Sequence, residues 1–161
     1  MMKDPIAVCR LALAGLLATF AVAAMADPGT SADELLADAG RILQQFDAGR
    51  YADAWQDVAP YARSRLTQDE FVTSTSLSRH SFGAVSSRGW ASVTRIRYTQ
   101  ATKIPDGLYA NVDFATTLVG GHAVFELLSF RLEEDGHWHL TGYQPRSAQG
   151  ATAVPTEIVS P

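Results

Sequence analysis

Residues 107–144 read GLYANVDFATTLVGGHAVFELLSFRLEEDGHWHLTGYQ, and this stretch decides the fold. Apolar and polar residues alternate along it, and β-branched and aromatic types are frequent, as suits a pleated surface. Gly120-Gly121 and Asp135-Gly136 interrupt the alternation where hairpins need residues that accept positive φ. Strands are therefore predicted at 108–118, 122–133 and 137–144. A fourth is predicted at 90–99, joined to the others through Pro105-Asp106-Gly107. Such short links make neighbouring strands antiparallel, so the sheet is a meander.

Upstream of Gly83 the period is helical. Ser31-Ala32-Asp33-Glu34 has the form of a capping box, in which side chains satisfy the free N–H groups at a helix start. Leu35, Leu36, Ala39, Ile42, Leu43 and Phe46 then form one apolar stripe, and Gly49 is a natural stop. Tyr51, Ala54, Trp55 and Val58 predict a shorter second helix ending at Pro60. Thr67-Gln68-Asp69-Glu70 is another capping box and opens a third helix through Phe71, Leu77 and Phe82. Its Ser/Thr-rich middle has weak intrinsic propensity, so packing must hold it. Helices followed by strands give an α+β domain, three helices packed on one face of a four-stranded antiparallel meander.

The two ends read differently. Lys3 and Arg10 precede an apolar run at 11–24, LALAGLLATFAVAA, and Ala24-Met25-Ala26 offers a small-x-small cleavage site before Asp27. Residues 1–26 are thus expected to be a signal peptide, since the run is short for a bilayer span. The domain then occupies 27–146, and 147–161, with small and polar residues, two prolines and no periodicity, is expected to be a disordered tail. Removal of 1–26 takes Lys3, Arg10 and Asp4, so 13 basic and 17 acidic residues become 11 and 16, a net charge of −5. That balance argues against nucleic acid or an anionic membrane as partner. Cys9 leaves with the leader and precedes the apolar run, so the mature chain has no thiol ligand, no disulfide and no site for a lipid anchor. The expected location is periplasmic or secreted, with no stable membrane anchor after cleavage.

An ordered set of short matches runs through the domain. It comprises Phe46-Asp47-Ala48-Gly49-Arg50-Tyr51 with Ala54-Trp55, Gly83 with Arg88, and Pro105-Asp106-Gly107 with Tyr109. Glu126 comes next, and Asp135-Gly136, Trp138, Gly142-Tyr143 and Arg146 close the set. In these residues the chain resembles the bacterial domain-of-unknown-function 4019 family over residues 35–146. The resemblance implies an exported protein of the cystatin-like or nuclear-transport-factor-two-like group, in which helices fill the concave side of a curved sheet. It implies no known activity and no catalytic residues. Phe71 stands where the family usually has Trp, and His139 where Arg is usual, which weakens any role for that strand position.

Glu126 is the polar residue in the most unusual place. On its strand it shares a face with Val124, Leu128, Phe130 and Leu132, so its carboxylate points towards the helices. A buried charge needs a partner, a watered pocket or a proton. The structural reading is an ion pair with Arg88 or Arg79; the functional one is a pocket carboxylate that binds a cationic group or acts as general acid or base. A bulge that slipped the register by one residue would instead turn the side chain outward. Aromatic residues, among them Trp55, Trp90 and Tyr109, either line a cavity with it or simply fill the core. Arg88 and Arg146 could grip an anion, yet a carboxylate partner explains either one. His137 and His139 face one side, with His122 nearby across the sheet, but Trp138 and Leu140 claim the core face. With no Cys ligand and no HExxH helix, no metal and no cofactor are expected.

The candidate binding residues are therefore Glu126, Arg88, Trp55, Trp90 and Tyr109, with no catalytic residue assigned. The leading reading is an exported, non-enzymatic binding or interaction domain that holds an unknown small ligand or an envelope protein, with a modest pocket between helices and sheet. Its rivals are a small cone-shaped enzyme using Glu126 as acid or base, and an envelope protein that docks a partner through an exposed edge strand.

Overall fold

A computed structural model describes residues 31–80 and 82–148. The expected signal peptide and almost all of the expected tail lie outside these residues. The fold is α+β. Helix α1 spans Ala32–Asp47, α2 Tyr51–Ala54, α3 Pro60–Arg63 and α4 Gln68–Arg79; strands β1 (Val85–Tyr98), β2 (Gly107–Leu118), β3 (Ala123–Leu132) and β4 (Trp138–Arg146) follow.

Both long helices start where capping chemistry places them. Ser31 Oγ accepts from the amides of Asp33 and Glu34 at the head of α1. Thr67 and Glu70 form a complete capping box at the head of α4, each side chain accepting from the other residue's backbone N–H. The expected second helix does not hold together. One turn of α2 tightens into a 3-10 turn at Trp55–Asp57, and Pro60 begins the separate turn α3. The physical reason is Val58, which leaves the helical path to form an isolated parallel bridge with Leu140, while the Ala59 amide donates to the Leu140 carbonyl at 2.8 Å. Arg63 fastens the break by donating to the carbonyls of Val58 and Gln56 at 2.8 and 2.5 Å. Helix α4 also departs from expectation, since it ends at Arg79 and leaves Leu77 exposed and Phe82 beyond its end.

The strands pair antiparallel in the order β1-β2-β3-β4, with Val58 a one-residue addition on the outer side of β4. Gly121 and Gly136, both at φ near +80°, make the tight turns between β2, β3 and β4. Strand β1 is five residues longer at its start than expected, because Gly89 masks an alternation that begins at Val85. On one sheet face Ala110, Val112, Phe114, Leu128, Phe130 and Leu140 meet the apolar stripe of α1, with Phe71 of α4 completing the core. Trp138 and Leu140 point into that core as their alternation predicts.

Candidate functional site

Register fixes where Glu126 lies. It pairs with Phe114 on β2, and the alternating neighbours Val112 and Leu128 are core residues, so the carboxylate is carried into the interior at 0% exposure. No bulge intervenes in the β2–β3 register, so the strand does not slip. Each carboxylate oxygen receives hydrogen bonds from two side chains. Oε1 accepts from Arg79 Nη1 and from the Tyr143 hydroxyl at 2.8 Å. Oε2 accepts from Thr116 Oγ1 at 2.5 Å and from Arg88, whose Nε and Nη2 lie 2.9 and 2.8 Å away. The structural reading of Glu126 thus applies, and both arginines serve as partners.

A second carboxylate closes the arrangement. Asp47, the last residue of α1, bonds Arg79 Nη2 through Oδ1 and Arg88 through both oxygens, at 2.7 and 3.0 Å. Arg79, Asp47, Arg88 and Glu126 therefore form a closed ring of alternating charge that is neutral as a unit. Burial disfavours charge on Arg79, but Tyr143, Glu126 and Asp47 outweigh it and hold the guanidinium above its ordinary pKa. Arg88 behaves alike, with burial opposed by Asp47 and Glu126. Burial first, and then the neighbouring Glu126 carboxylate, push the Tyr143 hydroxyl well up. Arg79 also lies over the rings of Phe82, Phe46 and Tyr143, at 5.1, 5.9 and 5.9 Å to the centroids.

A cleft of about 140 Å³ opens over this ring, lined by Phe46, Asp47, Tyr51, Arg79, Phe82 and residues 83–85. It is smaller than the roughly 300 Å³ at which drug-sized ligands are held. Glu126 lies beneath it rather than on its wall, because Arg79 intervenes.

The remaining predicted residues do not converge there. Trp55 is half-buried, its ring tilted against Phe71 with centroids 5.6 Å apart, and covered by Arg63. Trp90 is 61% exposed on β1, a correction to its expected interior place. The register puts it on the helix-side face, but β1 is an edge strand and Trp90 stays outside the core. Tyr109 is buried on the opposite face from Glu126, where its hydroxyl donates to the Pro105 carbonyl at 2.9 Å. Arg146 pairs with the buried Asp113 at 2.6 Å, and His139 with Asp135 at 2.8 Å. Among the described residues no three His, Cys, Asp or Glu side chains gather as a metal-binding group.

Sequence reasoning overlooked Thr116 and Tyr143 as partners of Glu126, and Asp47 as the second carboxylate joining the two arginines. Asp47 carried one usable signal: an acid at a helix C-terminus opposes the macrodipole, so it needs a compensating partner elsewhere. Arg79 carried another, since Phe71, Thr75 and Arg79 follow at intervals of four and share the buried face of α4.

Residues 38–143 match the family described as protein of unknown function, DUF4019. The chain belongs to this family. The matched segment takes in all four ring residues and Tyr143, so the charge network lies wholly within the family domain. No curated protein matches the chain.

Proposed function

We propose that this DUF4019 protein is an exported, non-enzymatic binding or interaction domain of the periplasm or extracellular space, built in the cystatin-like or nuclear-transport-factor-two-like manner. The observation that supports this best is the saturation of Glu126. Four side-chain donors occupy its two oxygens and the residue has no exposed surface, so it offers no free atom to a substrate proton. Its work is then to hold Arg79 and Arg88 in place. Arg79 and Asp47 are the polar groups presented to the cleft, with Phe46, Tyr51 and Phe82 as apolar walls. The cleft suits a small polar molecule or a single side chain of a partner, and excludes anything larger.

Native mass spectrometry tests this reading on protein exported with its own leader and purified without denaturation. A low-mass adduct is expected on the wild type and absent from Ala84→Trp, whose indole fills the cleft. An adduct-free wild type, or an adduct that survives in Ala84→Trp, would remove the cleft from the reading.

A further inference from the structure

The two edges of the sheet are treated differently. The outer side of β4 is occupied near its start by Val58 and Ala59, which bridge and bond to Leu140. Strand β1 is the other edge, 14 residues long, and among the described residues nothing pairs with its outer side. A bare edge of that length presents a row of unmet backbone donors and acceptors.

Charge singles out the same strand. Residues 85–98, VSSRGWASVTRIRY, hold three arginines and no acid, in a chain whose net charge is −4. On the sheet, Arg88, Arg131 and Arg146 each have a carboxylate partner. Arg95 and Arg97 are exposed, and no described residue pairs with either. Register places Trp90, Arg95 and Arg97 opposite Phe114, Ala110 and Leu108, which alternate along β2 and so share one face. The edge thus presents backbone bonding groups beside one exposed indole and two unpaired cations, all on the same side.

We propose that the outer edge of β1 binds an extended segment of a partner protein that carries two acidic side chains at alternate positions and an apolar residue further along the same face. The segment adds a fifth strand through backbone bonds, its acids reach Arg95 and Arg97, and its apolar residue covers Trp90. A second copy of β1 fits poorly, because pairing two such strands sets arginines against arginines with no acid to separate them. The proposal is independent of the cleft, which lies at the start of β1 beside residues 83–85.

A random octapeptide display library panned on the intact mature protein tests it. Selected peptides are expected to carry Asp or Glu at two alternate positions and an apolar residue to one side of both on the same face, and to bind more weakly as salt rises. Arg95→Glu/Arg97→Glu is expected to bind them at least about tenfold more weakly with an unchanged melting temperature, since both side chains are exposed and unpaired. Hydrogen exchange should slow at alternate β1 amides when a selected peptide binds. Should the double variant fail to fold, Trp90→Ala and the salt dependence of the wild type carry the test. A library without acidic enrichment, protection away from β1, undiminished binding to the double variant, or β1 protection that grows with protein concentration alone would each overturn the proposal.

Discussion

Glu126→Gln keeps the shape of the side chain and removes its charge, which isolates the electrostatic role of the ring. Arg79 and Arg88, at 6% and 14% side-chain exposure, are then balanced by Asp47 alone, leaving one uncompensated positive charge in a largely dry site. The new amide NH₂ must also face either Arg79 and Tyr143 or Arg88 and Thr116, so the bond to one guanidinium is lost, while the hydroxyl beside it can turn to accept. Removing one partner from a buried pair costs about 3–5 kcal/mol. Asp47 still bonds both guanidinium groups, so the low end applies, about 3 kcal/mol. For a domain of this size that lowers Tm by roughly 10–15 °C. Urea unfolding at pH 7 should show a lower midpoint with an unchanged slope, since the surface exposed on unfolding is the same. Adding Arg79→Gln should restore part of the loss, because the excess charge goes with it. A cost below about 1 kcal/mol, or a double variant that is merely additive, would refute the account of a tightly coupled ring.

Alkaline pH gives a separate handle. Burial pushes the Tyr109 hydroxyl up to about 12 and the Tyr143 hydroxyl higher still, so the folded state keeps protons that the unfolded chain releases from about pH 10. Stability is therefore expected to be full below pH 10 and to fall above it, and Tyr143→Phe should flatten that fall in a pH series of thermal melts while costing about 1–2 kcal/mol at neutral pH. For export, the intact mass of protein from the envelope is expected to begin at Asp27; full-length chain in the membrane pellet would refute the cleavage and the compartment together.

The sheet was legible because alternation and turn chemistry are local. Gly120-Gly121 and Asp135-Gly136 mark hairpins by their own backbone demands, and the capping boxes at Ser31 and Thr67 mark helix starts in the same way. The helical reading of 51–60 failed for a non-local reason, the bridge from Val58 to Leu140 on β4. Glu126 could be found because a charge in an apolar alternation is conspicuous. The composition of its surroundings could not, since Asp47 sits on an exposed helix end and meets its partners only when α1, α4 and β1 converge. Trp90 was misplaced because alternation reports which face a residue takes, and says nothing about whether a helix covers that face.

The ring also bears on time. Its bonds join residues 32, 38, 41 and 47 positions apart, and they require the ends of α1 and α4 to be docked on each other and on the sheet already. The β2–β3 and β3–β4 hairpins need only a few residues of chain to close. Long loops close late, so the ring is completed after the hairpins and after most of the core is assembled. Interactions absent from the transition state act on the rate of leaving the native state and scarcely on the rate of reaching it. The buried charges therefore set how long a folded molecule persists, while the hairpins set how fast the native state is reached.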